Sequence, residues 1–200
     1  MALMMALPST PWAYAARTIA TAVALVLAFR FQISNLRSLS PSIPNHALTQ
    51  TPKHPNNPST QTLTCLFWGL LVGLLVFGIW VFPEQFAWYR KWCILGEGGT
   101  RAIAESDRLT IALRLVGSAF VISVAEELFF RKWLIGFAGF GWMVALFAIE
   151  HDRWVVGAVA GVLYGLLYLK KGLLSAIVAH AVTNLVLGLY VLKTDAWQFW

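Results

Sequence analysis

The chain has 200 residues, of which 58% are hydrophobic and only 12% charged, with ten Trp and a mean hydropathy of +0.68. That balance excludes an ordinary soluble domain, because one fold of this length cannot cover so much apolar surface without lipid. The net charge of +6 is spread over short loops and reads as membrane-flanking Lys and Arg, with no nucleic-acid-binding motif beside it.

A first apolar stretch, residues 12–31, is long enough to cross a hydrocarbon core of roughly 30 Å. Ala13-Tyr14-Ala15 imitates a signal-peptidase site, but no basic residue precedes it and the apolar run follows it, so a membrane helix is expected rather than a cleaved leader. Residues 32–62 hold Pro41, Pro44, Pro52, Pro55 and Pro58 among Ser, Thr, Asn and Gln; with nothing to bury, they are expected to form a solvated linker. A second span, 63–82, is closed by Pro83. The following loop carries Arg90, Lys91, Glu97, Arg101, Glu105, Asp107 and Arg108, with Trp88, Tyr89 and Trp92 as interfacial anchors.

The third span, 109–137, is followed by three closely spaced apolar stretches at 142–151, 154–169 and 173–192. The stretch at 142–151 is too short to cross alone and is expected to tilt, join its neighbour or lie inside the bundle. Gly157, Gly161 and Gly165 recur every fourth residue, a stripe that lets helices approach closely. The expected fold is an all-α polytopic transmembrane bundle of about six membrane segments, with residues 63–200 as its core. Cys65 and Cys93 are isolated and offer neither a disulfide framework nor a metal-ligand spacing.

Polar residues within the apolar segments carry the functional signal. Glu126, Glu127 and Arg131 share the third span. A charge at mid-bilayer depth costs about 2.5–3.5 kcal/mol on insertion scales, so such a trio persists when its members pair or face a wet cavity. Glu127 and Arg131 are four apart and share a helical face, whereas Glu126 points about 100° away. Glu126 is therefore left unpaired, and an unpaired buried carboxylate suits a general base acting on water. A purely stabilising charge network is the alternative.

Phe147 and His151 are also four apart, with Glu150 and Asp152 flanking the imidazole on other faces. His180 and Asn184 share a face in the last span, near Ser175 and Thr183. Such a pair can serve as interhelical hydrogen-bonding glue, or as two donors for a developing oxyanion.

In order, Glu126-Glu127-x-x-x-Arg131, Phe147-x-x-x-His151 and His180-x-x-x-Asn184 resemble the three motifs of the CAAX prenyl protease and bacteriocin-processing (CPBP or Abi) family, over residues 63–200. The stretch from His151 to Asn184 and the terminal Trp197-Gln198-Phe199-Trp200 resemble its exosortase-associated branch. Two departures stand out: the interval from Arg131 to Phe147 is short for the family, and the Pro-rich insert at 32–62 is unlike it.

The resemblance implies an intramembrane endopeptidase in a bacterial plasma membrane, acting on a membrane-associated protein or peptide. Glu126 would activate water with help from His151, His180 and Asn184 would hold the oxyanion, and Glu127 with Arg131 would support them. It also raises zinc as an alternative cofactor, held by Glu126, His151 and His180 with one position open. Metal-free catalysis is preferred, because no two of these ligands share a helix at the spacing of a His-Glu-x-x-His site. A transporter or proton relay remains a rival, since buried Glu and His also mark ion paths, and so does a non-catalytic membrane scaffold.

Overall fold

The computed structural model describes residues 58–94 and 108–199. The expected span at 12–31 and the linker up to residue 57 lie outside the described residues.

Helix α1 (Pro58–Val81) covers the expected span and includes the last residues of the expected linker. A 3-10 turn (Phe82–Gln85) and the short helix α2 (Ala87–Trp92) follow. Helix α3 runs over Arg108–Ala138, α4 over Phe140–Ile149, α5 over Trp154–Lys171 and α6 over Leu173–Thr194. A second 3-10 turn, Trp197–Phe199, ends the described chain. Every described element is helical, as expected for a helical membrane bundle.

Four helices are long and apolar enough to span a bilayer: Ser59–Gln85, Arg108–Ala138, Trp154–Lys171 and Leu173–Thr194. The ten residues of α4 reach only about 15 Å, half the hydrocarbon thickness. Of the six membrane segments expected, the first lies outside the described residues, and the other five correspond to four spans and one half-length helix.

Packing follows small residues. Leu63, Phe67, Leu70 and Leu74 leave one face of α1 exposed, as a lipid-facing stripe would be. The opposite face meets α6 through Gly69 and Gly73. A Cβ on Gly73 would stand 2.5 Å from the Ala179 carbonyl oxygen and 2.8 Å from Val182 Cβ, so only glycine permits this approach. The Gly157, Gly161 and Gly165 stripe faces α4: Cβ atoms there would meet His151 Cβ at 3.2 Å, Phe147 Cδ1 at 3.2 Å and Phe140 Cε2 at 2.6 Å. The stripe thereby seats the half-length helix, with Phe147 and His151, deep against α5. Gly139 (φ 86°, ψ 168°) and Gly172 (φ 88°, ψ 174°) make the sharp reversals into α4 and α6 in a region nearly closed to other residues.

Candidate active site

The two glutamates sit on an ordinary α-turn, Ser123–Glu127, between two π-helical stretches of α3, Gly117–Ile122 and Leu128–Leu134. Such interruptions add a residue to a turn and recur at functional sites.

Glu127 is fully buried, and its two oxygens are divided between two partners. Oε2 lies 3.0 Å from Nε of Arg131, itself fully buried. Oε1 lies 2.9 Å from Nδ1 of His180. The first contact is the expected ion pair; the second means that Glu127 also orients the imidazole. Arg131 is cradled by aromatic faces, its guanidinium carbon 4.2 Å from the Phe147 ring centre and 5.5 Å from that of Tyr164. Cation–π attraction of this kind reaches about 2 kcal/mol when desolvated.

His180 is gripped on several sides. Tyr164 stacks on it with ring centres 5.1 Å apart, and Phe147 meets it edge-on at 5.9 Å. The Tyr164 hydroxyl donates to Thr183 Oγ1 at 2.7 Å, and Thr183 donates to the Gly73 carbonyl of α1 at 2.9 Å. With Nδ1–H given to Glu127, the free ring nitrogen is Nε2, 3.9 Å from Oε2 of Glu126.

Glu126, His151, His180 and Asn184 all line one cavity of about 220 Å³, whose apolar walls include Trp80, Phe147 and Phe199. The three motif clusters therefore converge. Glu126 Oε2 is buried and has no hydrogen-bond partner among the described residues. His151 Nδ1 donates to the Phe147 carbonyl at 2.7 Å, leaving Nε2 as the ring's acceptor. Burial holds this imidazole below its ordinary range against the opposing charge of Glu126, so it is neutral at pH 7. Beside it, burial and then the Glu126 charge push the Glu150 carboxyl up to about 7.

Asn184 differs from expectation. Its Nδ2 donates to the Ser118 carbonyl at 3.0 Å and to Ser123 Oγ at 3.1 Å. Both amide hydrogens are thus given to α3, and Asn184 does not stand beside His180 as a free donor pair.

Several neighbours carried no signal in the sequence. Trp80 meets the His151 ring edge-on at 5.3 Å. A buried ion pair joins Glu84 to Arg153, two residues after His151, and the Arg153 guanidinium lies 4.9 Å above Phe199. Together they tie the turn after α1, the His151 loop and the final 3-10 turn into one rim of the cavity.

Zinc is the alternative reading for Glu126, His151 and His180. Glu126, His151 and His180 share the cavity, but among the described residues no three His, Cys, Asp or Glu side chains are gathered to hold a metal.

The fold and cavity define a class: an integral, helical membrane protein with carboxylates and imidazoles enclosed in its bundle. Residues 108–186 match the family described as type II CAAX prenyl endopeptidase Rce1-like, which bears out the resemblance drawn from the three motifs. The matched stretch begins with α3 and contains every motif residue through Asn184. It supports a peptidase of the CAAX-protease type with a membrane-associated substrate, at the level of the family and not of the exosortase-associated branch. None of the curated proteins and none of the solved structures compared with the chain matches it.

Proposed function

We propose that the protein hydrolyses a peptide bond of a membrane-associated protein or peptide, with Glu126 as the base that activates water. One observation carries this reading: a buried carboxylate oxygen without a partner among the described residues faces an imidazole nitrogen at 3.9 Å across the cavity. That separation exceeds direct hydrogen bonding and suits one intervening water.

Glu126 takes a proton from that water as its oxygen attacks the scissile carbonyl carbon. His151, neutral with Nε2 open, orients the same water as an acceptor. His180, held by Glu127 through Nδ1, gives the carbonyl oxygen a hydrogen bond when Nε2 also carries a proton. Glu126 then gives its proton to the leaving amine as the C–N bond breaks. The water's second hydrogen stays on the new carboxylic acid, which ionises on release, so the products are a carboxylate, a free amine and a proton, and no metal takes part.

The test compares membrane-protein termini in cells with and without a functional copy. New N-termini that depend on the protein, on substrates embedded in or attached to the membrane, support the reading. Identical termini overturn it.

A further inference from the structure

We infer that Ser123 and Asn184 are positioning residues that set the rotation of α3 at which Glu126, rather than its neighbour, faces the cavity. Ser123 is fully buried and lies one turn before Glu126. Its hydroxyl donates to the Ser118 carbonyl, five residues back, at 3.1 Å. It also accepts one hydrogen of the Asn184 amide at 3.1 Å, while the other goes to that same Ser118 carbonyl at 3.0 Å. The three groups close a ring across α3 and α6, and the ring spans the first π stretch, Gly117–Ile122.

The Ser123 hydroxyl reaches a carbonyl five residues back across the widened π turn of Gly117–Ile122. A π bulge adds one residue to the helix, and one residue corresponds to about 100° of rotation. If residues 117–122 relaxed to a regular helix, Glu126 would swing by about that angle onto the side that Glu127 now occupies. Ala125 would then take its place at the cavity. The choice between two adjacent glutamates is thus made by the turn before them, and Asn184 from α6 secures it. Asn184 acts through Ser123 and α3 rather than on the substrate.

This inference rests on Glu126 being the base, and the test separates the two claims. The first measurement needs no turnover: the structure of the purified full chain of each variant, read for the place of the Glu126 carboxyl. In Ser123→Ala the Glu126 side chain should leave the cavity, so that its Oε2 no longer lies 3.9 Å from Nε2 of His180. Asn184→Leu should move it likewise, and it carries the measurement if Ser123→Ala does not accumulate. The second measurement uses a substrate found from the membrane termini. Each single variant should lose about 10²-fold in kcat with KM within about twofold, the scale of a misplaced catalytic group. Ser123→Ala/Asn184→Leu should be no slower than the slower single variant, because both act through one network. A Glu126 side chain still facing the cavity, or losses that multiply in the double variant, overturns the inference. Wild-type protein that cleaves nothing overturns the functional reading instead, and leaves the variant structures to decide this one.

Discussion

Replacing Glu127 by Gln removes the one negative charge that faces both Arg131 and Nδ1 of His180, at 3.0 Å and 2.9 Å. Arg131 is fully buried and would remain as a cation against the rings of Phe147, Tyr164 and Phe130. Aromatic faces return about 2 kcal/mol of attraction. Breaking a buried pair by removing one partner costs about 3–5 kcal/mol, because the surviving charge cannot reach water. At roughly 2–4 °C per kcal/mol for a chain of this size, Glu127→Gln should lower the melting temperature in detergent by about 10 °C and reduce the yield. Adding Arg131→Met removes the stranded charge and fills the cradle with a side chain that suits aromatic surroundings. The double variant should regain at least half of the lost stability. Glu127→Gln melting within about 1 °C of wild type, or a double variant no better than the single, would refute a dry ion pair at this depth.

Gly73→Ala should cost about 1–3 kcal/mol, because its new Cβ would overlap the Ala179 carbonyl oxygen, whereas Gly78→Ala, which meets nothing within 4 Å, should be neutral or slightly stabilising; unfolding of the two variants side by side checks this. Glu150 has a folded-state value near 7, raised from 4.5 mainly by burial, so its contribution is full below about pH 4.5 and is lost as pH rises through 7. Glu150→Gln should therefore raise the melting temperature at pH 8 and leave it unchanged near pH 4, and a decrease at pH 8 would contradict that sign. Cleavage should persist in strong chelator, with no stoichiometric zinc in the purified protein; activity lost to chelator and restored by Zn²⁺ would reverse the assignments of His151 and His180.

Charged and polar residues inside apolar stretches were legible because lipid makes each of them expensive. Glu126, His151, His180 and Asn184 were singled out on that ground and line one cavity. The pairing of Glu127 with Arg131 followed from a helical spacing of four, and the glycine stripe of α5 from its periodicity. Other features had no such mark. Tyr164 and Trp80 hold the two imidazoles, yet in a sequence rich in aromatics they look like any core or lipid-facing ring. Glu84 and Arg153 are 69 residues apart, and only the fold brings them together. The Ser118–Ser123–Asn184 ring depends on a π turn, which a periodicity of 3.6 does not contain. For the same reason, the donor role expected of Asn184 met an amide already engaged on α3.

The central claim is that Glu126 activates the water that cleaves the peptide. Its most direct test is Glu126→Gln in proteoliposomes, on a substrate identified from membrane termini. Glutamine keeps the shape of the side chain and removes the base, a change that typically costs about 10²–10⁴ in rate. The account predicts no detectable product from a variant that inserts and melts like wild type. Product formed by Glu126→Gln near the wild-type rate, with Glu127→Gln folded but inactive, would contradict it and move the base to the neighbouring carboxylate.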